Sequence, residues 1–235
     1  REVQADPYLD PDWVQEHWQR YRQEFESYTP RQDLSVAINR QYMEAVRRHI
    51  REARIPPACV LNFGTFCGHF DDRLAREFPD VHFIGYYRSS EAVALSREAY
   101  RQPNLSFESG DFADLLARLV APESTVLAHV RTISMMYPAG VRALYRQCAE
   151  AGIRTLIGVE ATGYSFQIDA FPDPADPQRP PVVPFGVMTD HNIRALCSDS
   201  GYRLEQQDFH PYQILTPIRE NQERSLMTSF TLKLQ

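Results

Sequence analysis

The chain has 235 residues, enough to bury one full hydrophobic core, and 43% of them are apolar, with 13 Phe and 12 Tyr, which excludes a disordered chain. A net charge of −6 argues against a nucleic-acid groove as the main surface, because phosphate binding asks for a basic stripe. No apolar run approaches the roughly 20 residues a membrane helix needs, and the start lacks a secretion signal's apolar heart, so the expectation is one cytoplasmic domain with neither membrane nor nucleic acid as partner.

The chain opens in helical rhythm. Between Asp12 and Phe25, residues Trp13, His17, Trp18, Tyr21 and Phe25 fall near one face at helical spacing. Pro30 interrupts, and a second amphipathic pattern runs from Asp33 to Arg54 through Val36, Tyr42, Met43, Val46 and Ile50, until Pro56-Pro57 stops it. Residues 1–57 are therefore expected to form an N-terminal helical extension, and residues 58–235 an α/β domain.

From residue 58 short apolar runs alternate with helices. CVLNFG predicts a strand, GHFDDRLAREF a helix, VHFIGYY a strand and SSEAVALSREAYR a helix opened by a capping Ser. LSFESG, TVLAHV and IRTLIGVEATG predict three more strands, separated by helices over FADLLARLV and AGVRALYRQCAEAG. Such alternation implies parallel pairing, and cover on both faces explains the nearly continuous apolar strands. Six prolines between residues 170 and 184 exclude helix and central strand, so a surface insertion is expected there. A short helix over 189–200 and two β runs, YRLEQQDF and RSLMTSFTLKL, close the chain.

Gly64 and Gly68 bracket the turn NFGTFCGHF after the first strand. Glycine lets the backbone approach a ligand there, and in alternating α/β folds ligands collect at the carboxyl ends of strands. On these residues the chain resembles the class I, seven-stranded S-adenosylmethionine-dependent methyltransferases. Their first motif reads acid-x-Gly-x-Gly-x-Gly, and this chain has Asn62, Gly64, Phe66 and Gly68 at those four positions. The resemblance puts Tyr87, after the second strand, where that family holds the ribose hydroxyls with an acid. Asp111 in SGDF, with Phe112 beside it, falls where the family grips the adenine amine. It implies a three-layer, doubly wound, mostly parallel seven-stranded sheet with a C-terminal antiparallel hairpin. It further implies a helical lid over residues 1–57 and S-adenosyl-L-methionine as cofactor. Two departures stand out: Asn62 lacks charge, and Tyr87 offers one hydroxyl in place of a carboxylate.

Methyl transfer is an in-line displacement, so the protein aligns a nucleophile against the methyl carbon and excludes water. A hydroxyl nucleophile is helped by a base near the ends of the fourth and fifth strands. His129 in TVLAHV, Glu160 in IGVEATG and His191 after the proline run are the candidate catalytic groups. Arg131 and Tyr164 are the candidate acceptor contacts. Each has a structural alternative: His129 as a hydrogen-bonded core residue, Glu160 and His191 as local caps or ion-pair partners.

Other chemistries lack parts. Of 25 cationic residues 24 are arginine, and the single lysine is Lys233. A P-loop, a Schiff base or a Tyr-x-x-x-Lys dehydrogenase pair therefore has no lysine to use. Arg88 could meet a 2′-phosphate in a nicotinamide site, but the turn lacks that fingerprint's third glycine. Cys67, His69, Asp71 and Asp72 are ligand-like in type, yet they open a helix without usable metal spacing, so no metal is expected. Expected partners are a small-molecule substrate and either a second copy or a partner subunit. The second subunit belongs to the alternative reading, a methyltransferase-like chain that no longer transfers methyl groups.

Overall fold

The computed structural model describes residues 15, 18, 19, 22, 37–65, 67–136, 138–162, 182–183, 186–187, 193–211 and 226–235. Helix α1 (Ala37–Glu52) carries Ile38, Tyr42, Met43, Val46 and Ile50 at spacings of three and four, and all five are buried. That stripe packs against the sheet through Val60, Val126, Ile157, Val159 and Met227. Burial of each large apolar side chain is worth about 1.5–3 kcal/mol, which is what holds this N-terminal helix to the sheet.

The sheet has the order β3-β2-β1-β4-β5-β9-β8. Its parallel strands are β1 (Cys59–Phe63), β2 (His82–Tyr86), β3 (Leu105–Glu108), β4 (Thr125–Val130) and β5 (Thr155–Thr162). β9 (Leu226–Leu234) runs antiparallel to both β5 and β8 (Tyr202–Pro211), with a register shift between Leu204 and Gln206. Six strands therefore share one direction and β9 opposes them. A two-stranded pair, β6 (Val182–Val183) and β7 (Gly186–Val187), is the described part of the proline-rich stretch.

Helices α2 (His69–Glu77), α3 (Ser90–Ala99), α4 (Phe112–Ala117), α5 (Pro138–Glu150) and α6 (Ile193–Ser198) complete the layers. Side-chain alternation on β1 divides the core: Val60 faces α1 and α2, while Leu61 and Phe63 join the cluster over α4, α5 and α6. The expected fold class is what the structure has.

α4 is shorter than the run FADLLARLV suggested. Pro122 disfavours helical backbone at the residue before it, and the last turn is already loose at Arg118–Val120, leaving Val120 fully exposed. The lone lysine sits at the far end of the sheet, its Nζ bonded to Thr155 Oγ1 at 3.0 Å where β5 begins. No described helix is long and apolar enough to cross a membrane.

Candidate functional site

The carboxyl ends of β1 to β5 gather the sequence-predicted residues that the structure describes. Gly64 leaves β1 with φ of 90° and Gly68 enters α2 with φ of 74°, a region that favours glycine. Both glycines are also demanded by neighbours. A Cβ on Gly64 would overlap the Thr132 side chain, and one on Gly68 would lie 2.6 Å from the Phe107 ring. The turn's amides at Gly64 and Thr65 both donate to the Tyr86 carbonyl, at 2.9 and 3.0 Å. α2 begins without a side-chain cap at Gly68, and a helix start of that kind suits a polar or anionic group.

Asn62 and Asp71 meet under this turn. Asn62 Nδ2 donates to Asp71 Oδ2 at 3.1 Å, and the Thr65 hydroxyl donates to the same oxygen. Burial, the dominant influence, pushes the Asp71 carboxyl up to about 7 against the pull of those donors. His69, the first residue of α2, contacts the Tyr100 hydroxyl through Nδ1, and burial lowers its imidazole below the ordinary value.

Past β3 the arrangement is open. Asp111 is exposed and caps α4, its Oδ1 accepting from Ala113 N at 2.7 Å and Asp114 N at 3.3 Å. Oδ2 makes no hydrogen bond among the described residues. Gly110 (φ 101°) has open space where a Cβ would stand, and its carbonyl accepts from the Tyr86 hydroxyl at 2.7 Å. Beneath, the Tyr86 ring stacks on Phe63 at 5.4 Å and lies 5.0 Å from Phe112, an aromatic floor for the Gly110–Asp111 bend.

Tyr87 is covered. It is 3% exposed, in one cluster with Trp18, Ala92, Val93 and Phe107. Gln15, Gln19 and Arg22 reach the same edge and donate to the Glu91 carboxylate at 3.2, 2.9 and 2.7 Å. Tyr87 is thus buried in the Trp18 cluster rather than open at the strand end.

His129 and Glu160 come together at the end of β4, 0% and 3% exposed. His129 Nδ1 lies 2.8 Å from Glu160 Oε1 and donates to it, the only sense a carboxylate allows; Nε2 contacts the Tyr145 hydroxyl at 3.1 Å. Glu160 also accepts from the amides of Thr132, Ile133 and Ser134, at 3.1, 3.3 and 3.3 Å. Arg131, exposed at the strand exit, turns the backbone with φ of 52° so that those amides face the carboxylate. Phe66, Tyr164 and His191 lie outside the described residues.

Sequence reasoning missed Tyr86, Thr132, Tyr145 and the Trp18 cover, and weighed Asp71 only as a metal ligand. Asp71 carried a signal: it shares a helix face with Leu74 and Ala75, a charge among buried apolar positions.

No protein-family profile matches this chain, and no curated protein does. Solved structures do. An S-adenosylmethionine-dependent methyltransferase from Anabaena variabilis aligns at a TM-score of 0.63 and 12% identity, covering 98% of both chains. Magnesium protoporphyrin IX methyltransferase from Synechocystis, crystallised with S-adenosylmethionine, aligns at 0.59 and 14%, covering 99% of this chain and 100% of its own. The (4+2)-cyclase SpnF aligns at 0.61 and 11%, covering 83% and 81%. The chain has the fold of the class I S-adenosylmethionine-dependent methyltransferases.

Proposed function

We propose that this chain binds S-adenosylmethionine across the carboxyl ends of β1 to β3 and catalyses methyl transfer to an O or N atom of a small-molecule acceptor. The observation that carries the reading is the likeness along the whole chain to a methyltransferase crystallised with that cofactor. The residues present fit the group. The uncapped start of α2 suits a carboxylate end, and the bare Oδ2 of Asp111 suits an exocyclic amine. The open side of Gly110 leaves room for a flat base beside Phe112.

The cofactor supplies a methyl carbon activated by an adjoining sulfonium charge. The chain's own groups hold and orient it: Asn62, Gly64, Phe66 and Gly68 shape the turn, while Asp111 and Phe112 bound the base. Tyr87 backs the ribose position through the Trp18 contact. Arg131, exposed at the exit of β4, is the acceptor contact among the described residues; the sequence assigns Tyr164 to the acceptor as well, and His191 as the base for a hydroxyl nucleophile. His129 and Glu160, buried and bonded to each other, act as positioning residues for the turn after β4 rather than as proton carriers.

The test is calorimetry with S-adenosylmethionine and S-adenosylhomocysteine, followed by transfer of labelled methyl to a panel of hydroxyl and amine acceptors. Heat of binding with label appearing in an acceptor supports the reading; no heat at millimolar ligand defeats it. The second reading, a chain of this fold that binds the cofactor without transferring methyl, is favoured by one observation. Tyr87 stands where an acid is expected and is sealed under Trp18. SpnF, a cyclase, shows that the fold also occurs in proteins named for other chemistry. Binding without transfer to any acceptor, or a stable partner subunit that restores transfer, would decide for it.

A further inference from the structure

Asp71, Asn62 and Thr65, at 1%, 0% and 4% exposure, form a polar knot inside an apolar layer. One oxygen of Asp71 is crowded, with Asn62 Nδ2 and the Thr65 hydroxyl both donating to Oδ2. Its other oxygen, Asn62 Oδ1 and the Tyr42 hydroxyl on α1 are buried without a partner among the described residues. Tyr42 closes the knot from above, its ring 5.6 Å from that of Phe70, and it feels the Asp71 charge. A bare buried polar atom costs about 1–3 kcal/mol, so three at one place call for a hydrogen between them.

We propose that Asp71 is the positioning residue of the β1–α2 turn, pinning it from beneath as one unit with Asn62 and standing in for an acid at the strand end. What the turn receives rests on the methyltransferase reading; the pin does not. The neutral carboxyl makes the better pin. Its hydrogen, on Oδ1, is offered to Asn62 Oδ1 or the Tyr42 oxygen, while Oδ2 keeps both donors. Ionisation removes that hydrogen and leaves a buried charge against the bare Asn62 Oδ1, with the Tyr42 hydroxyl as its one further donor among the described residues.

Among the described residues no cation is paired with the Asp71 carboxylate. Tyr42 faces it from α1, its phenol held above the ordinary value by burial. On its own helix stand Asp72, which pairs with Arg76 at 3.0 Å, and His69, whose imidazole burial lowers. From β1 and the turn come only Asn62 and Thr65. With the Asp71 carboxyl pushed up to about 7, the pin loosens as pH rises through that value.

Amide hydrogen exchange across residues 62–70, followed from pH 5.5 to 8.5 and corrected for the intrinsic pH dependence of exchange, tests this without any ligand. The wild type is expected to lose about tenfold in protection between pH 6 and 8. Asp71→Asn, which keeps an acceptor for Asn62 and Thr65 and supplies a permanent donor on the other side, is expected to stay protected at every pH. Asp71→Ala is expected to be loose at every pH. A flat wild-type profile overturns the proposal, and so does Asp71→Asn following the wild-type curve. Should Asp71→Ala fail to fold, the other two proteins still decide. Calorimetry with S-adenosylhomocysteine runs alongside. Absence of binding with the pH step present sinks the methyltransferase reading and leaves the pin; binding with a flat profile does the reverse.

Discussion

Glu160 and Asp71 are carboxyl groups buried at the same end of the sheet, and their partners differ. Glu160 accepts from three backbone amides and from His129, with both oxygens engaged. Asp71 has two donors on one oxygen and none on the other. The difference comes from the elements that carry them. A strand-end carboxylate can be met by a loop folding back, and the left-handed Arg131 aims Thr132, Ile133 and Ser134 at it. A carboxyl in the first turn of a helix that faces apolar neighbours such as Leu74 has no loop folding back to supply amides to its second oxygen. Donor supply, not depth, separates the two.

That contrast can be broken at four points, the largest first. Glu160→Ala strands three amides and His129, so a loss of about 3–5 kcal/mol is expected in urea denaturation. A loss under about 1 kcal/mol would mean that the turn holds itself. Asp71 comes next. Its folded value, about 7, lies above the unbound carboxyl's 3.8, so the stability it contributes is complete below about pH 4 and lost as pH rises through 7. Asp71→Asn should therefore gain on the wild type by on the order of 4 kcal/mol between pH 4 and 8, read from denaturation curves at each pH. A constant difference would contradict it.

Gly64→Ala tests the link between the two turns, because the added Cβ meets Thr132 and the φ of 90° is itself strained. About 2 kcal/mol of destabilisation is expected, with part recovered in Gly64→Ala/Thr132→Ala, where only the backbone strain of about 1–2 kcal/mol stays. The smallest effect on stability is at Asp111. Asp111→Asn keeps an oxygen for the Ala113 and Asp114 amides, so its melting temperature should hardly move. Its affinity for S-adenosylhomocysteine should fall about tenfold, since the free side now presents donors to an amine. Unchanged affinity would remove Asp111 from the base site.

The elements that sequence reading recovered are those whose signal is local. The α1 stripe, the Ser89 cap and the glycine bend at 64–68 each depend on residues within a few positions of one another. The contacts that escaped join residues far apart along the chain: Trp18 with Tyr87 across 69 positions, and His129 with Glu160 across 31, although His129, Glu160 and Tyr87 were each singled out. Asp71 beside Asp72 reads as the solvated acidic start of a helix, whereas the structure buries both, pairing Asp72 with Arg76 and leaving Asp71 to Asn62 and Thr65.

By itself the sequence determined the alternation of strands and helices, and hence a parallel sheet with a ligand edge, because periodicity and breakers act over a few residues. Which groups at that edge are covered, paired or left bare was decided only by tertiary packing. Burial and hydrogen-bond supply are properties of a neighbourhood, and the neighbours of Asp71, Tyr87 and Glu160 arrive from distant parts of the chain.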